Sequence, residues 1–594
     1  MASAYDKASL VMLPHAYKDD KLYSVKPEDR SGDFTFSRDG AGASPATRVN
    51  ASGLIEKGRT NEISWSNDFS KASWVKTDSS VTSGQSGYDG TNNAWLLSKS
   101  AANGRLIQNL SAGAVLTFSV YAKAGTLNYM RLRVSGTSNA SCFFDFTDGS
   151  IHNNDGFDAS MEDIGGGWYR CSYTFNSTIT GLQIYPADST SSVAGTSGNI
   201  LIQDAQIETS LVATEIIDTE APTSAGLLGD MPRLDYSGGA TCPSLLLEPS
   251  RVNVFTQSEF VGWTIENASG DYNNATSPEG VQNAILLTAN GGSQDHTAYI
   301  ETSSLSPATY SYSVFVKKGT QRYVHLTLNE RYVDSSWITA TFDLDTLTKA
   351  DHSSGTGYVD GTSDITDYGN GWYRLEMTGA LVNTTTYLAF VGWANGLGAP
   401  NTSRGRYNVT TSGTFYAYGA QLESGSYPTS YIPTYGSASG RADDECEKTG
   451  VSDLIGQTEG TMFVEAKVTF DSRNGRIMLL QGVSNHFMEL VGLATRKVQA
   501  FVYNGSTQAN IQTTTLYSSG DTLKIAFAYK ANDFVLYING VQQGTDTSGS
   551  LPSSMSKIIL NNYTAAGYSE ANAYKQALLF KTRLTNAELA ALTA

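Results

Sequence analysis

Sugars are held through C–H faces stacked on flat rings, with amide and carboxylate groups bonding their edges, so the tryptophans are the first residues to place. There are eight. Trp74 with Trp263, and Trp168 with Trp372, stand at corresponding points of two similar stretches, and recurrence in diverged copies marks a shared core role. Trp65, Trp95, Trp337 and Trp393 lack an evident counterpart. Trp393 lies in Gly392-Trp393-Ala394-Asn395-Gly396, which reads as a glycine-rich loop, and it is the expected carbohydrate contact together with Trp337. One such stacked ring contributes on the order of 1 kcal/mol.

Hydrolysis of a glycan needs two carboxylates about 5 to 10 Å apart across the scissile bond. Asp343 with Asp345, and Asp443 with Asp444, are the pairs to consider, but neither sits in a recognisable catalytic motif and both read as turn or surface carboxylates. The six histidines (His15, His152, His296, His325, His352, His486) are scattered, with no HExxH and no Cys/His cluster, which argues against zinc. GxSxG and P-loop patterns are absent, so the expectation is a protein without enzymatic activity.

The elements that position these residues are repeated. Thr117 to Leu132 aligns without a gap on Ser311 to Leu326 at an offset of 194. Asp163-Ile164-Gly165-Gly166-Gly167-Trp168-Tyr169-Arg170 matches Asp367-Tyr368-Gly369-Asn370-Gly371-Trp372-Tyr373-Arg374 at an offset of 204, and Ala205-Gln206-Ile207-Glu208 matches Ala420-Gln421-Leu422-Glu423 at 215. Upstream, Leu54 to Asn61 pairs with Leu246 to Asn253 at 192. Blocks in one order with a growing offset describe a duplicated domain whose copies differ by loop insertions.

Within the blocks, bulky and polar residues alternate, as in Phe118 to Lys123 and Tyr129 to Val134. This is the pattern of half-buried antiparallel strands, here read as joined by the short turn at Gly125-Thr126. The predicted class is all-β: tandem antiparallel β-sandwiches of jelly-roll type, with repeat 1 over 53–219, a linker over 220–245 and repeat 2 over 246–436. After Gly440 the pattern changes to a third unit, 441–594. Its Leu523–Lys530 and Phe534–Val541 runs predict a hairpin with an Asn539-Gly540 turn directly after it. Thr585 with Glu588 three residues on predicts a capped terminal helix. Residues 1–52 hold short strand-like runs, too few for a core of their own, which must pair with a neighbouring domain or another chain.

Composition agrees. Among 594 residues there are 57 Gly and 33 Tyr, aromatics reach 11% and charged residues only 16%, a turn-rich β profile unlike a helical bundle or a disordered chain. A formal charge of −17 argues against nucleic acid and against an anionic membrane surface. No stretch is long and apolar enough for membrane insertion, and the N-terminus lacks a secretory signal. Four cysteines (Cys142, Cys171, Cys242, Cys446) without CxxC spacing predict free thiols, with Cys142 and Cys171 the only plausible pair.

Three groups of residues carry a resemblance. Asp6-Lys7-Ala8-Ser9-Leu10-Val11-Met12, Asp33 to Arg38 and Arg48 to Glu56 resemble the start of bacteriophage virion proteins, the tail-appendage and head-fibre proteins. The duplicated unit resembles the carbohydrate-binding-module-like jelly rolls of such proteins. Residues 441–594 resemble a concanavalin A-like (laminin G-like) lectin domain, through Tyr537-Ile538-Asn539-Gly540 and Leu584-Thr585-Asn586-Ala587-Glu588. The resemblance implies a structural fibre protein of the virion, assembled in the host cytoplasm and released by lysis, and a homotrimer. It implies attachment to other virion proteins through the N-terminal segment, and lectin-like domains that contact host surface glycans through the second sandwich and the C-terminal unit. It implies no cofactor, though calcium would suit acidic loops of a lectin-like sandwich. A purely architectural capsid-decoration or shaft protein, and a glycan depolymerase, are the alternatives.

Overall fold

The computed structural model describes all residues except 1–3, 41, 356–357, 472, 484 and 562–569. The chain is a series of antiparallel β-sandwiches.

In the first sandwich, one network of ten strands folds over on itself. Two 20-residue strands, Arg105–Ala124 and Trp168–Ala187, run through both layers, and their ladder slips at Asn109/Ala112 where they bend. One layer places Tyr129–Gly136 beside Trp168–Ala187 and then Ser141–Asp145 outside it. The other places Gly198–Thr209 beside Arg105–Ala124. The second sandwich has the same order, but its layers are two separate six-stranded sheets. There the long strands are interrupted, between Thr297–Glu301 and Ala308–Lys318 and between Trp372–Leu381 and Tyr387–Ala394. Pro307, which has no N–H to give a ladder, lies in the first of these breaks.

One expectation is corrected here. The strands before and after Gly125-Thr126 do not pair with each other; both pair with Trp168–Ala187, so this turn carries the chain from one layer to the other. The alternation was sound because each strand still buries one face: Met130, Leu132 and Val134 point into the core.

The recurring motifs outside the tryptophans form a buried polar clasp that closes each sandwich. Asn61 donates to the carbonyls of Ala205 and Ile217, and Asn253 donates to those of Ala420 and Ile432. Glu208 accepts from the amide and hydroxyl of Thr214, and Glu423 does the same with Thr429. Arg170 reaches Thr214 O, and Arg374 reaches Thr429 O. Buried polar groups must be paired, which explains why Arg, Asn, Gln and Glu recur at these points.

The third sandwich is not confined to 441–594. Leu10–Met12 lies in register against Asn572–Phe580, and Phe34–Ser37 pairs with Glu445–Thr449. Ser244–Leu247, from the stretch expected to be a linker, also pairs with Asn572–Phe580. Leu10, Met12, Leu22, Phe34, Phe36, Leu234, Leu245 and Leu247 are buried in one core with Met462, Leu480 and Phe527. The N-terminal runs thus find their partners in a neighbouring domain of the same chain. Arg38, Arg233, Glu248, Arg441 and Asp444 knit the junction: Arg38 meets Asp444 at 2.9 Å, Arg233 meets Glu248 at 2.6 Å and also Asp444, and Arg441 meets Glu248 at 3.0 Å.

The predicted hairpin is present, with Lys530 opposite Asp533, and Asn539 and Gly540 both at positive φ as the following tight turn requires. Thr585 and Glu588 form the capping box of the Asn586–Thr593 helix. Its Leu589 packs with Val11, Phe463 and Leu578 on the outer face of the sheet, so Glu459–Lys467 is buried on both faces instead of alternating. Cys142, Cys171 and Cys446 are buried, Cys242 is exposed, and all four are unpaired.

Candidate functional site

Both expected sugar-stacking tryptophans lie elsewhere than a loop surface, and this corrects the reading of Trp337 and Trp393 as exposed loop rings. Trp393 is in the Tyr387–Ala394 strand, fully buried, on the same face as Val391. Its Nε1 donates to Gly413 O at 2.8 Å, and its ring meets Phe415 edge-on at 4.7 Å. Trp337 begins the Trp337–Asp343 strand, is 8% exposed, and donates from Nε1 to Ser403 O at 3.0 Å. The glycines around Trp393 suggested a loop, but Gly392 is a strand residue where a Cβ would come within 2.6 Å of His325 Nε2.

The carboxylate pairs are structural. Asp343 accepts two bonds from Arg322, at 2.9 and 2.7 Å, and the amide of Asp345 at 2.9 Å. Arg322 foremost holds Asp343 well below the usual carboxylate range. Asp444 is fully buried in the arginine junction instead of at a turn or surface, and Asp443 accepts from Ser250 N at 2.6 Å. Among the described residues, no group of three or more His, Cys, Asp or Glu is placed to hold a metal ion.

The site that the structure does assemble is the outer face of the first sandwich, on Tyr129–Gly136, Ser141–Asp145 and the second half of Trp168–Ala187. The odd-numbered residues of the first strand point outward: Tyr129, Arg131 and Arg133. Arg131 lies opposite Phe143 on one side and Tyr185 on the other, and its guanidinium covers both rings at 5.2 and 5.6 Å. Arg105, at the start of the Arg105–Ala124 strand in the same layer, lies 5.6 Å from the Tyr185 ring centre. The Arg105 and Arg131 guanidinium carbons are therefore no farther apart than twice that distance. Phe143 and Tyr185 are 5% and 4% exposed, so the accessible surface here is largely guanidinium over aromatic rings. Gln183 ties the middle together: it accepts from Arg133 at 3.3 Å and from Tyr185 OH, and donates to Ser135 Oγ at 2.6 Å. Arg131 donates to Ser141 Oγ at 3.0 Å and Arg105 to Asn103 O at 3.1 Å. Burial, and then the like charge of Arg133, lower the Arg131 guanidinium from its ordinary value.

The matching face of the second sandwich is filled by its own chain. Residues 395–413 fold back where the first copy has only 188–197, which accounts for most of the growth in offset from 204 to 215. The carbonyl of Gly405 accepts from Thr339 and Thr327 at 2.7 and 3.1 Å. Tyr407 OH pairs with Thr341 at 2.7 Å. Arg406 lies 4.7 Å from the Phe390 ring and is bonded to Asp295 and Glu266. Gly405 sits at φ +72°, and a Cβ there would come 2.4 Å from the Trp337 ring, so only glycine lets this plug seat. The shorter loop of the first copy leaves its face open apart from Val193, which packs on Phe143 and Tyr185.

A groove of about 450 Å³ also runs along the seam between the two sandwiches, lined by Asp158, Glu162, Arg170, Tyr272, Asn273 and Gln282 among others. Its arginine is engaged by Thr214 O and its asparagine by Asp158 and Leu211 O.

Sequence reasoning missed Arg105, Arg131, Arg133, Phe143, Gln183 and Tyr185 as site residues. The signal was present in the spacing of Tyr129, Arg131 and Arg133, and in the replacement of the two arginines by His325 and Thr327 in the second copy.

No family model and no curated protein matches the chain. Solved structures with some likeness include the carbohydrate-binding module CBM40 of Ruminococcus gnavus IT-sialidase bound to α2,3-sialyllactose, with 12% identity, 25% of this chain and 91% of that chain covered, and a TM-score of 0.22. The tandem CBM22-1–CBM22-2 of Paenibacillus barcinonensis Xyn10C has 12% identity over 64% of this chain and 100% of that one, with a TM-score of 0.20. Trypanosoma rangeli sialidase has 8% identity over 100% and 99%, with a TM-score of 0.21. Likeness at this level carries no argument about what this chain binds or does.

Proposed function

We propose that the chain is a non-enzymatic glycan-binding protein, a virion appendage that presents β-sandwiches to host surface glycans. The observation that carries the glycan reading is the open outer face of the first sandwich, where Phe143 and Tyr185 underlie a rim of arginine, glutamine and serine while the second copy closes the same face with its own loop. Guanidinium and amide donors held in place over buried rings can bond the hydroxyls of a saccharide, and three weak sites on a trimer would act together by avidity. Asp343 and Asp444, one from each carboxylate pair considered for hydrolysis, are engaged in ion pairs.

The virion setting and the trimer rest on the resemblance of the N-terminal and duplicated segments. Pairing of the N-terminal strands within their own chain removes the separate argument that they needed another chain. It also ties the N-terminal segment to the C-terminal sandwich, which places that sandwich beside the proposed attachment. A glycan array with the full chain tests binding: an array with no bound saccharide favours the architectural alternative. Release of reducing ends from host polysaccharide would instead point to a depolymerase, and electron microscopy of labelled particles tests the virion placement.

A further inference from the structure

We infer that the open face of the first sandwich takes a saccharide bearing a carboxylate, through Arg131, Arg133 and Arg105; this rests on the glycan-binding reading above and names the class of sugar. The chain carries 57 acidic and 40 basic residues, so an arginine has an excess of carboxylates with which to pair. Most buried guanidiniums elsewhere do so, as Arg38, Arg233, Arg406 and Arg441 show. On this face, among the described residues, no carboxylate oxygen lies within 4.0 Å of any of the three guanidiniums. Their acceptors are neutral: a serine hydroxyl, a glutamine amide oxygen and a backbone carbonyl.

Of the carboxylates near the face, Asp155 acts on Arg131 through its charge without closing an ion pair, and the others are turned to other work. Asp155 accepts from Ser141 Oγ at 3.3 Å, and Asp145 caps its own turn through Thr147. Asp188, in the loop beside the face, is held by Lys99 and by the amide of Gly195. What remains is positive charge laid on aromatic rings. Stacking on Phe143 and Tyr185 fixes the guanidinium of Arg131, which leaves its remaining N–H groups as a preset fork for an oxyanion. A carboxylate matches that fork with two parallel bonds, which a sugar hydroxyl does not. The half-buried setting strengthens the charge–charge term above its value in open water. The second copy provides the contrast: His325 and Thr327 stand where Arg131 and Arg133 do, and Arg406, which lies at that face, is neutralised by Asp295 and Glu266.

The test is a glycan array carrying hexuronate-containing saccharides, their carboxyl-reduced forms and sulfated neutral saccharides, probed with the full chain and with Arg131→Gln and Arg133→Gln. The expected result is binding to carboxylated saccharides at least ten-fold above their reduced forms, weakening with added salt, and falling to the level of the reduced forms in both variants while their melting temperatures stay at the parent value. Should Arg131→Gln fail to fold, Arg133→Gln and Arg105→Gln, at half-exposed positions, give the same readout. Equal binding to carboxylated and reduced saccharides overturns the charge inference and leaves the glycan reading standing. Preference for sulfated over carboxylated saccharides overturns the choice of carboxylate. No binding to any saccharide overturns both.

Discussion

Arg131 and His325 occupy the same position in the two sandwiches and have opposite environments. Arg131 is flanked across its strand by Phe143 and Tyr185, and His325 by Thr341 and Gly392. The guanidinium reaches the surface, whereas the imidazole is fully buried, bonded to Thr327 Oγ1 at 2.9 Å and 5.4 Å from the Tyr407 ring. Burial, and then the charge of Arg406, hold His325 down at about 3, so it is neutral at any physiological pH. A duplicated domain has thus kept one open face and turned the other into core. Calorimetric titration with a bound saccharide is expected to give a stoichiometry near one per chain; a value near two would show that the second face also opens.

Trp393 lies in the same closed copy, on the opposite side of its strand. Its burial beside Val324 and Phe415 makes Trp393→Ala a core truncation, expected to cost about 3–5 kcal/mol. The loss should appear as a lowered melting transition for the second sandwich, with saccharide binding by the first sandwich unchanged. A variant that melts like the parent but no longer binds saccharide would return Trp393 to the role that its glycine-rich neighbours suggested.

Stability should fall as pH rises from about 5 to about 8. Burial pushes Asp204 up to about 6 and Glu570 up to about 7. Glu259 is also raised, by burial first and then by Glu279, against the pull of Lys57 at 3.7 Å. Each of these groups holds a proton in the native state that the unfolded chain releases near pH 4, so the native state binds more protons across this window and stability decreases with pH there. His325 and Glu248 have the opposite sign: His325, held down at about 3, offsets part of the fall below about pH 6.5, where the unfolded imidazole takes up a proton, and Glu248 acts only at lower pH. Although burial alone would raise it, Arg441 and Arg233 depress it, and its contribution is lost only in strong acid. Calorimetry at pH 5, 6, 7 and 8 should show a falling melting temperature, and Glu259→Gln should flatten the slope. A melting temperature that rises over this range contradicts the assignment.

Much of this architecture was legible in the sequence, for stated physical reasons. The offsets between repeated blocks located the duplication, and the growth from 204 to 215 marked the insertion that closes the second face. The Asn539-Gly540 turn and the Thr585/Glu588 cap were readable because each depends on local backbone chemistry. Pairing partners distant in the chain were not. Leu10 against Leu579, and Phe36 against Cys446, leave no local trace, because a three-residue apolar run reads alike whether its partner is near or far. The tryptophans misled for a related reason. Glycine beside Trp393 signalled a loop, when its purpose is to admit His325 against the strand. Arg131 was passed over because alternation shows which face a residue is on but not whether that face is later covered.

Those long-range pairings make the third sandwich depend on the N-terminal segment. If residues 441–594 were an autonomous domain, a fragment of that span would fold. In the structure, removing the N-terminal segment strips Leu10–Met12 from beside Asn572–Phe580 and Phe34–Ser37 from beside Glu445–Thr449. That would expose the core that Leu10, Met12, Leu22, Phe34 and Phe36 cover. Each such side chain contributes about 1.5–3 kcal/mol when buried, and the five together are comparable to the ~5–15 kcal/mol by which a typical domain is stable. The uncovered strands would also present unpaired edges. A 441–594 fragment is therefore expected to be insoluble or to lack a cooperative melting transition, and a chain lacking residues 1–37 should lose the transition of the third sandwich while retaining those of the other two. The single substitution Phe34→Ala, expected to cost about 3–5 kcal/mol, should lower the same transition in the intact chain. A soluble 441–594 fragment with a sharp melting transition near that of the full chain would show that the N-terminal strands decorate this sandwich without completing it.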